Sequence, residues 1–233
     1  MYRKELKYIV GDATLLDVRN RIAGIMRKDP HQSGDFYRIR SVYFDSPTYT
    51  CYRENQAGVS TREKYRIRIY DCKSDVISAE IKIRHRDTIS KMSSRIDNGM
   101  FDALISGNWQ QASGVLSEAL AERDDRVLEK YLAKFATENY SPACIVDYER
   151  SAYVYDTGNV RITIDRNVFG SSEISRMFDD KLTGRAMLDK GLHVLEIKYD
   201  EFLPDEILQV IVGLSLSRSS CSKYALCMSR FLV

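Results

Sequence analysis

"KYRIRIYDCKSDVISAEIKIRHR", Lys64 to Arg86, is the stretch on which the fold turns. Residues two apart on a β-strand share a face, so its first run sets Lys64, Arg66, Arg68 and Tyr70 on one side and Tyr65, Ile67 and Ile69 on the other. The second run repeats the division, with Glu80, Lys82 and Arg84 opposing Ala79, Ile81 and Ile83. The spacing predicts two strands, Arg62 to Asp71 and Val76 to Arg84, joined by a polar turn over Cys72 to Asp75. The same alternation recurs in three more places. In Tyr2 to Val10, Arg3, Glu5 and Lys7 oppose Leu6 and Tyr8; Val160 to Gly170 carries Arg161, Thr163 and Asp165 on one face; His193 to Asp200 sets Glu196, Lys198 and Asp200 against Leu195, Ile197 and Tyr199.

An antiparallel sheet ordinarily turns such a face to water, and any one of these strands alone would be read that way. Together they keep to Arg, Lys and Glu with almost no neutral filler, which points to another arrangement. If the sheet closes into a barrel with its apolar face outward against helices, the charged face lines a wet tunnel. A ring of Arg and Lys repels itself unless an anion fills it, and guanidinium forks match phosphate oxygens. The interspersed carboxylates would then hold Mg²⁺ or Mn²⁺ together with phosphate oxygens. A chain of phosphates with its metal is the expected ligand.

Around this sheet the pattern alternates between strand and helix. A helix is expected from Ala13 to about Lys28, with an N-cap signal at Asp12 and an apolar stripe through Leu15, Leu16, Val18, Ile22, Ile25 and Met26. Strands follow at Phe36 to Ser46 and, after Ser46-Pro47, at Cys51 to Gln56; another covers Thr88 to Arg95. From Asp97 to about Thr137 the texture is helical, and this segment is read as an insertion in a single domain spanning 1–233. Strands resume at Ala143 to Tyr155, and helices close the chain at Asp205 to Leu214 behind Pro204, and at Ser222 to Leu232. The fold class is α+β: a closed antiparallel barrel of about eight strands with surrounding helices.

Composition narrows the function. A net charge of +2 argues against a surface dedicated to nucleic acid, so any basic site must be local. The aromatics interleaved with Arg66 and Arg68 also belong to the packed face, which weighs against base stacking. Five widely spaced cysteines without a CxxC pair fit reduced, packed thiols rather than a zinc site. The start, MYRKELKYIV, lacks an apolar signal region, and no run approaches a membrane span, so a cytoplasmic protein without membrane insertion of its own is expected, with room for a membrane-protein partner. His31, His85 and His193 accompany no Ser or Cys motif and read as structural or solvated. Arg38 and Arg40 share the parity of Val42 and Phe44 and belong on the outer face; Lys64 stands at the tunnel mouth or the sheet edge. "ERDDR", Glu122 to Arg126, reads as a solvated helix face and Trp109 as a packing residue.

"ELKY" at the start, "RSVYFDSP" (Arg40 to Pro47), "KYRIRIY", the Glu-x-Lys of "AEIKIR", "YERSAY" (Tyr148 to Tyr153), "VRITIDRN", "LEIKY" and "SKYALCMSRF" occur in the order of the VTC domain, which the chain resembles over nearly its whole length. That is the polyphosphate polymerase domain of the vacuolar transporter chaperone complex, found also as stand-alone bacterial proteins. It belongs to the triphosphate tunnel metalloenzymes, with the CYTH phosphatases and adenylyl cyclases. The resemblance implies that Lys7, Arg66, Arg68, Lys82, Arg150, Arg161, Lys198 and Lys223 bind the phosphate chain, with Lys91 and Ser222 beside them. Arg66, Arg68, Lys82, Lys198 and Lys223 would act on the reacting phosphates. Glu196 resembles the metal-binding glutamate, and Glu80 and Glu5 are further candidates. The first strand departs from the CYTH pattern Glu-x-Glu-x-Lys, because Arg3 stands where its first glutamate would be.

The implied reaction moves the γ-phosphoryl group of ATP onto a growing polyphosphate chain and needs a divalent metal, Mn²⁺ or Mg²⁺. The acceptor is a phosphate oxygen already anionic at neutral pH, so positioning and charge neutralisation suffice. ATP and polyphosphate or pyrophosphate are the expected partners. A triphosphatase or nucleotide cyclase would use the same tunnel with water or a ribose hydroxyl as acceptor, and a non-catalytic sensor would only bind in it.

Overall fold

The computed structural model describes residues 3–214 and 216–232. In chain order the elements are β1 (Arg3–Gly11), α1 (Asp12–Ile22), β2 (Arg27–Lys28), β3 (Tyr37–Asp45), α2 (Thr50–Gln56), β4 (Thr61–Tyr70), β5 (Lys73–His85) and β6 (Thr88–Ile96). Three helices follow, α3 (Asn98–Ile105), α4 (Trp109–Glu122) and α5 (Arg126–Glu138). The rest comprises β7 (Ser141–Tyr155), β8 (Val160–Ser171), β9 (Arg185–Ala186), β10 (Leu192–Tyr199), α6 (Asp205–Val212) and α7 (Lys223–Phe231). Tyr2, the expected first residue of β1, lies outside the described residues.

Eight strands form a ring. Their order is β7, β3, β4, β5, β6, β1, β10, β8, and β8 returns to pair with β7; β2 and β9 are two-residue additions on β7 and β8. Every pairing is antiparallel. Closure decides what the alternation means, because the apolar face of each strand turns outward and is covered. On one side Val42, Phe44, Ile67, Ile69 and Ile81 pack with Leu116, Leu128, Tyr131 and Phe135 of α4 and α5 and Met228 of α7. On the other, Tyr8, Ile162, Ile164, Leu195 and Ile197 lie beneath Leu15, Val18 and Ile22 of α1 and Ile207 and Val210 of α6. Burying large aliphatic side chains is worth about 1.5–3 kcal/mol each, and this drive points the charged positions inward.

The ring is unevenly sewn. β1 pairs with β10 from Lys4 to Gly11, but with β6 only through Arg3 and Lys4. Beside β1, Arg218 bridges to Tyr8 and the Ser219 amide donates to the Lys7 carbonyl at 2.8 Å, so the segment before α7 runs along β1.

Several local expectations are corrected. The β4–β5 turn is shorter than read: Tyr70 pairs with Lys73, and only Asp71 and Cys72 bend the chain, at φ 49° and 57°. Two consecutive left-handed residues give a tight hairpin turn whose twist matches the strands. Cys51 to Gln56 is helix, not strand. Its start is organised by the buried Asp45, whose carboxylate accepts from the amides of Cys51 and Tyr52 at 2.9 and 3.1 Å. α1 ends at Ile22 rather than near Lys28, because Arg27 and Lys28 leave the helix to pair with Val154 and Tyr153, and of the expected stripe Leu16 and Ile25 are exposed. Asp12 makes no capping bond; its carboxylate meets His193 Nε2 at 2.7 Å. Glu122 to Arg126 is not one helix face but the α4–α5 junction, where Asp125 accepts from the amides of Val127 and Leu128. Trp109 is 46% exposed and packs little.

Arg38 and Arg40 do lie on the outer face. Arg40 is wholly buried there, clamped by Asp147 at 2.6 Å and by the carbonyls of Met177 and Asp179 at 2.8 and 2.7 Å. The cysteines are free thiols, and all but Cys72 are buried. No helix among the described residues is long and apolar enough to cross a membrane.

Candidate functional site

The bore of the ring is a cavity of about 900 Å³. Fifteen Lys and Arg side chains line it, against the three acids Glu5, Asp87 and Glu196. Since the chain carries 35 basic and 33 acidic residues, the remainder of the molecule holds 20 against 30. Glu80, Asp165, Asp29 and Asp200 pair with these cations from the wall, so the bore carries about +8 within a body of about −6, and a cleft of one sign focuses its field on small ions of the other.

Strand register assembles the site. On β4 and β5, Lys64 faces Lys82 and Arg66 faces Glu80 across the ladder. Arg66 Nε and Nη2 both donate to Glu80 Oε2, at 2.8 and 2.6 Å, and its Nη1 reaches the Tyr43 hydroxyl at 3.0 Å. Lys91 takes the other oxygen of Glu80 at 2.9 Å, and Arg68 stands 3.8 Å away while donating to Ser41 and Tyr148. Glu80 is 1% exposed; burial alone would raise its carboxyl, but Arg66, Arg68 and Lys91 hold it far below the usual range.

A second knot joins β1, β5 and β10. Glu5 accepts from Lys82 at 2.9 Å and from Lys7 at 3.1 Å, and Lys198 stands 3.6 Å away. Glu196 pairs with Lys198 and lies 3.6 Å from Lys7. Burial and the neighbouring Glu196 push Glu5 up, yet Lys7, Lys82 and Lys198 outweigh them and bring it down to about 2. Glu196 is likewise held well below the ordinary carboxylate range against its burial. Lys82 goes the other way: burial, reinforced by Lys7 and opposed by Glu5, lowers its ammonium to about 7.

The third knot is centred on Asp165. Arg150 grips it with bonds of 2.6 and 2.7 Å, and Lys223 reaches it at 2.5 Å. Between these cations lies the Tyr148 ring, with Lys223 4.7 Å and the Arg150 guanidinium 5.2 Å from its centroid. Burial would raise the Tyr148 phenol, but Arg150 and Arg68 bring it below its usual value. Arg161 stands apart on β8, paired with the buried Asp29 at 2.7 Å and with the Tyr37 hydroxyl at 3.2 Å. Ser222 caps α7, accepting from the Ala225 amide at 3.3 Å, and receives the Lys64 ammonium at 2.7 Å.

Every phosphate-binding residue expected from the sequence thus lines the one cavity. Of the expected carboxylates, Glu5 and Glu196 line it too, while Glu80 lies behind Arg66 with both oxygens taken by cations. Sequence reasoning left out Asp165 and Asp29 as partners, Tyr43 and Tyr148 as lining groups, and Lys64 as a site residue. Parity with Arg66 was the available signal for Lys64, and parity with Arg161 for Asp165; Asp29 sits in a turn and gives no pattern at all.

Among described residues, no three His, Cys, Asp or Glu side chains gather as a ready metal cage. Glu5 and Glu196 are nevertheless two ionised carboxylates that share Lys7 and Lys198. That pair suits a hard divalent cation, which commonly takes one or two carboxylates and completes its shell with phosphate oxygens.

Two solved structures share the architecture. A Bacillus halodurans protein described as a "putative adenylate cyclase" superposes with TM-score 0.55 at 13% identity, over 99% of this chain and 97% of its own. A Vibrio parahaemolyticus protein described in the same words gives TM-score 0.52 at 12% identity, over 97% of each chain. At such identities the likeness shows the fold alone. A comparison with curated protein sequences finds no match. The VTC domain matches residues 2–232, all but the ends of the sequence. With that match and an eight-stranded tunnel lined by phosphate-binding residue types, the chain belongs to the VTC domain family.

Proposed function

We propose that the protein is an ATP-dependent polyphosphate polymerase. The observation that carries this reading is the excess of cations in the bore, fifteen against the seven acids that line it or pair with them, which a linear polyanion would neutralise along its length. The terminal phosphate oxygen of the chain attacks the γ-phosphorus of ATP; the new P–O bond forms as the bond from γ-phosphorus to the β–γ bridging oxygen breaks, and ADP leaves. Both reactants are anions, so their approach is opposed by repulsion until Lys and Arg cancel it. Arg66 and Arg68, held by Glu80, would bind and orient the reacting phosphates. Lys82, Lys198 and Lys223 would take up charge on the equatorial and leaving oxygens.

Lys7, Lys91, Arg150, Arg161 and Ser222 would fix the rest of the phosphate chain. Glu5 and Glu196 would hold Mn²⁺ or Mg²⁺, which when bound supplies further neutralisation of phosphate charge. Lys7 and Lys198, which pair with both carboxylates, would supply ammonium groups to the phosphates beside them.

The cyclase-like fold of the neighbours supports a second reading, nucleotide cyclisation or hydrolysis in the same bore. Incubation with ATP and Mn²⁺ separates the two. A ladder on a polyphosphate-staining gel with matching ADP supports the polymerase; free phosphate or cyclic nucleotide without chains overturns it. Tight binding of polyphosphate with no turnover would make the protein a sensor.

A further inference from the structure

The fifteen lining cations fall into two groups. Ten have a carboxylate within 4.0 Å: Arg3, and the nine shared among Glu5, Glu80, Glu196, Asp165 and Asp29. Five, Lys4, Arg62, Lys64, Arg84 and Arg218, have none among the described residues. Three of these five occupy one end of the β4–β5 ladder. Arg62 stands directly opposite Arg84, and Lys64 opposite Lys82. Like charges placed directly across an antiparallel ladder are destabilising, so the fold tolerates here a repulsion it cancels elsewhere.

The contacts these three do make are all to neutral acceptors. Lys64 Nζ donates to Asn55 Oδ1 at 2.6 Å and to Ser222 Oγ at 2.7 Å. Arg62 donates to the Val59 carbonyl, and Arg84 to the Arg86 carbonyl at 2.8 Å. Neutral acceptors aim the cations without neutralising them. Asp87, the acid lining this end, has no cation within 4.0 Å among the described residues. Burial, with Lys82 and Lys7 nearby, depresses the Lys64 ammonium, and an anion beside it would favour its charged form.

Position gives the group its meaning. Arg62, Lys64, Arg66 and Arg68 follow one another on the inner face of β4, and at about 3.4 Å per residue Arg62 lies roughly 20 Å from Arg68. Three linked phosphates held by Arg66, Arg68 and their neighbours fall short of Arg62 and Arg84; a longer chain reaches them.

We infer that Arg62, Lys64 and Arg84 form an outer phosphate subsite at the end of the bore remote from Arg68, where they take the further phosphates of a linear chain and so select polyphosphate over a lone triphosphate. The inference rests on the reading that the bore takes linear phosphate chains, and assigns the length preference to three residues outside the reacting set.

The test compares inorganic tripolyphosphate with long-chain polyphosphate as ligands, by calorimetry, on wild type and on the triple variant Arg62→Gln, Lys64→Gln, Arg84→Gln. The expected result is a loss of about 10- to 100-fold for the long chain, from removing charge-assisted bonds, with tripolyphosphate held within about twofold. Equal losses on both ligands, or no loss on either, overturn the subsite. Should the triple variant fail to unfold cooperatively, the double variant Arg62→Gln, Arg84→Gln supports the same comparison with a smaller loss. Chain synthesis from ATP is scored separately: a wild type that binds long chains tightly but makes none refutes the polymerase and leaves the length comparison standing.

Discussion

Arg150 on β7 and Asp165 on β8 face each other across the ladder and share two buried hydrogen bonds, of 2.6 and 2.7 Å. Lys223 reaches the same carboxylate from α7. One anion on β8 thus fixes two cations, one from β7 and one from α7, before any ligand arrives, and the same device recurs with Glu80 and with Glu5. A bore of mobile cations would lose side-chain entropy on closing around phosphate; cations already tied to acids in the wall lose less.

Replacing Asp165 by Asn is therefore predicted to strand Arg150 and Lys223. Breaking a buried ion pair by removing one partner costs about 3–5 kcal/mol. Urea unfolding should show a loss of that size, and saturating tripolyphosphate should recover more of it than the same ligand adds to wild type. Unchanged stability would mean that the two cations find their compensation in water.

Arg66→Ala is predicted to weaken tripolyphosphate binding by about 10- to 100-fold, the worth of one or two charge-assisted bonds. The fold should survive, because Glu80 keeps Lys91 and Arg68 and the outer face of β4 is untouched. Calorimetry with a parallel unfolding curve distinguishes this from a structural role, in which cooperative unfolding would be lost as well.

Binding should take up protons above neutral pH. In the free protein Lys82 titrates at about 7, so it is largely neutral near pH 8, whereas an anion in the bore favours its charged form. Protons therefore enter with the ligand when pH lies above the free value, and affinity falls as pH rises through it. Titrations near pH 8 in buffers of different ionisation heat should reveal the uptake, near pH 6 it should shrink, and Lys82→Gln should diminish it. Equal uptake in wild type and variant would assign the protons elsewhere.

α7 is seated against Gly170, where an added Cβ would stand 2.4 Å from Cys227 Sγ. Gly170→Ala must displace the helix that carries Lys223, since forcing atoms into a filled core costs about 1–3 kcal/mol. Both the unfolding midpoint and tripolyphosphate affinity should fall together. A drop in stability alone would show that α7 keeps its place.

How much of this was legible in the chain depends on the range over which each cause acts. The faces of β4, β5 and β10 were readable because period-two alternation is a local property, and the outward lie of Arg38 and Arg40 followed from parity. α2 was misread because its stabilising acid, Asp45, precedes it in another element. The turn at Asp71 and Cys72 was misread because neither residue is the Asn or Gly that usually announces two left-handed positions. Within the bore, residue types and faces were visible, but pairing was not. That Asp29 serves Arg161, or that Asp165 serves Arg150 and Lys223 together, follows only from the ring closing.

The separation of charge between bore and body would make the protein a sieve for anions. On the proposed reading, duplex nucleic acids and anionic bilayers, too broad to enter, would meet a body of net negative charge, while a thread of phosphates one unit wide would reach the opposite sign inside.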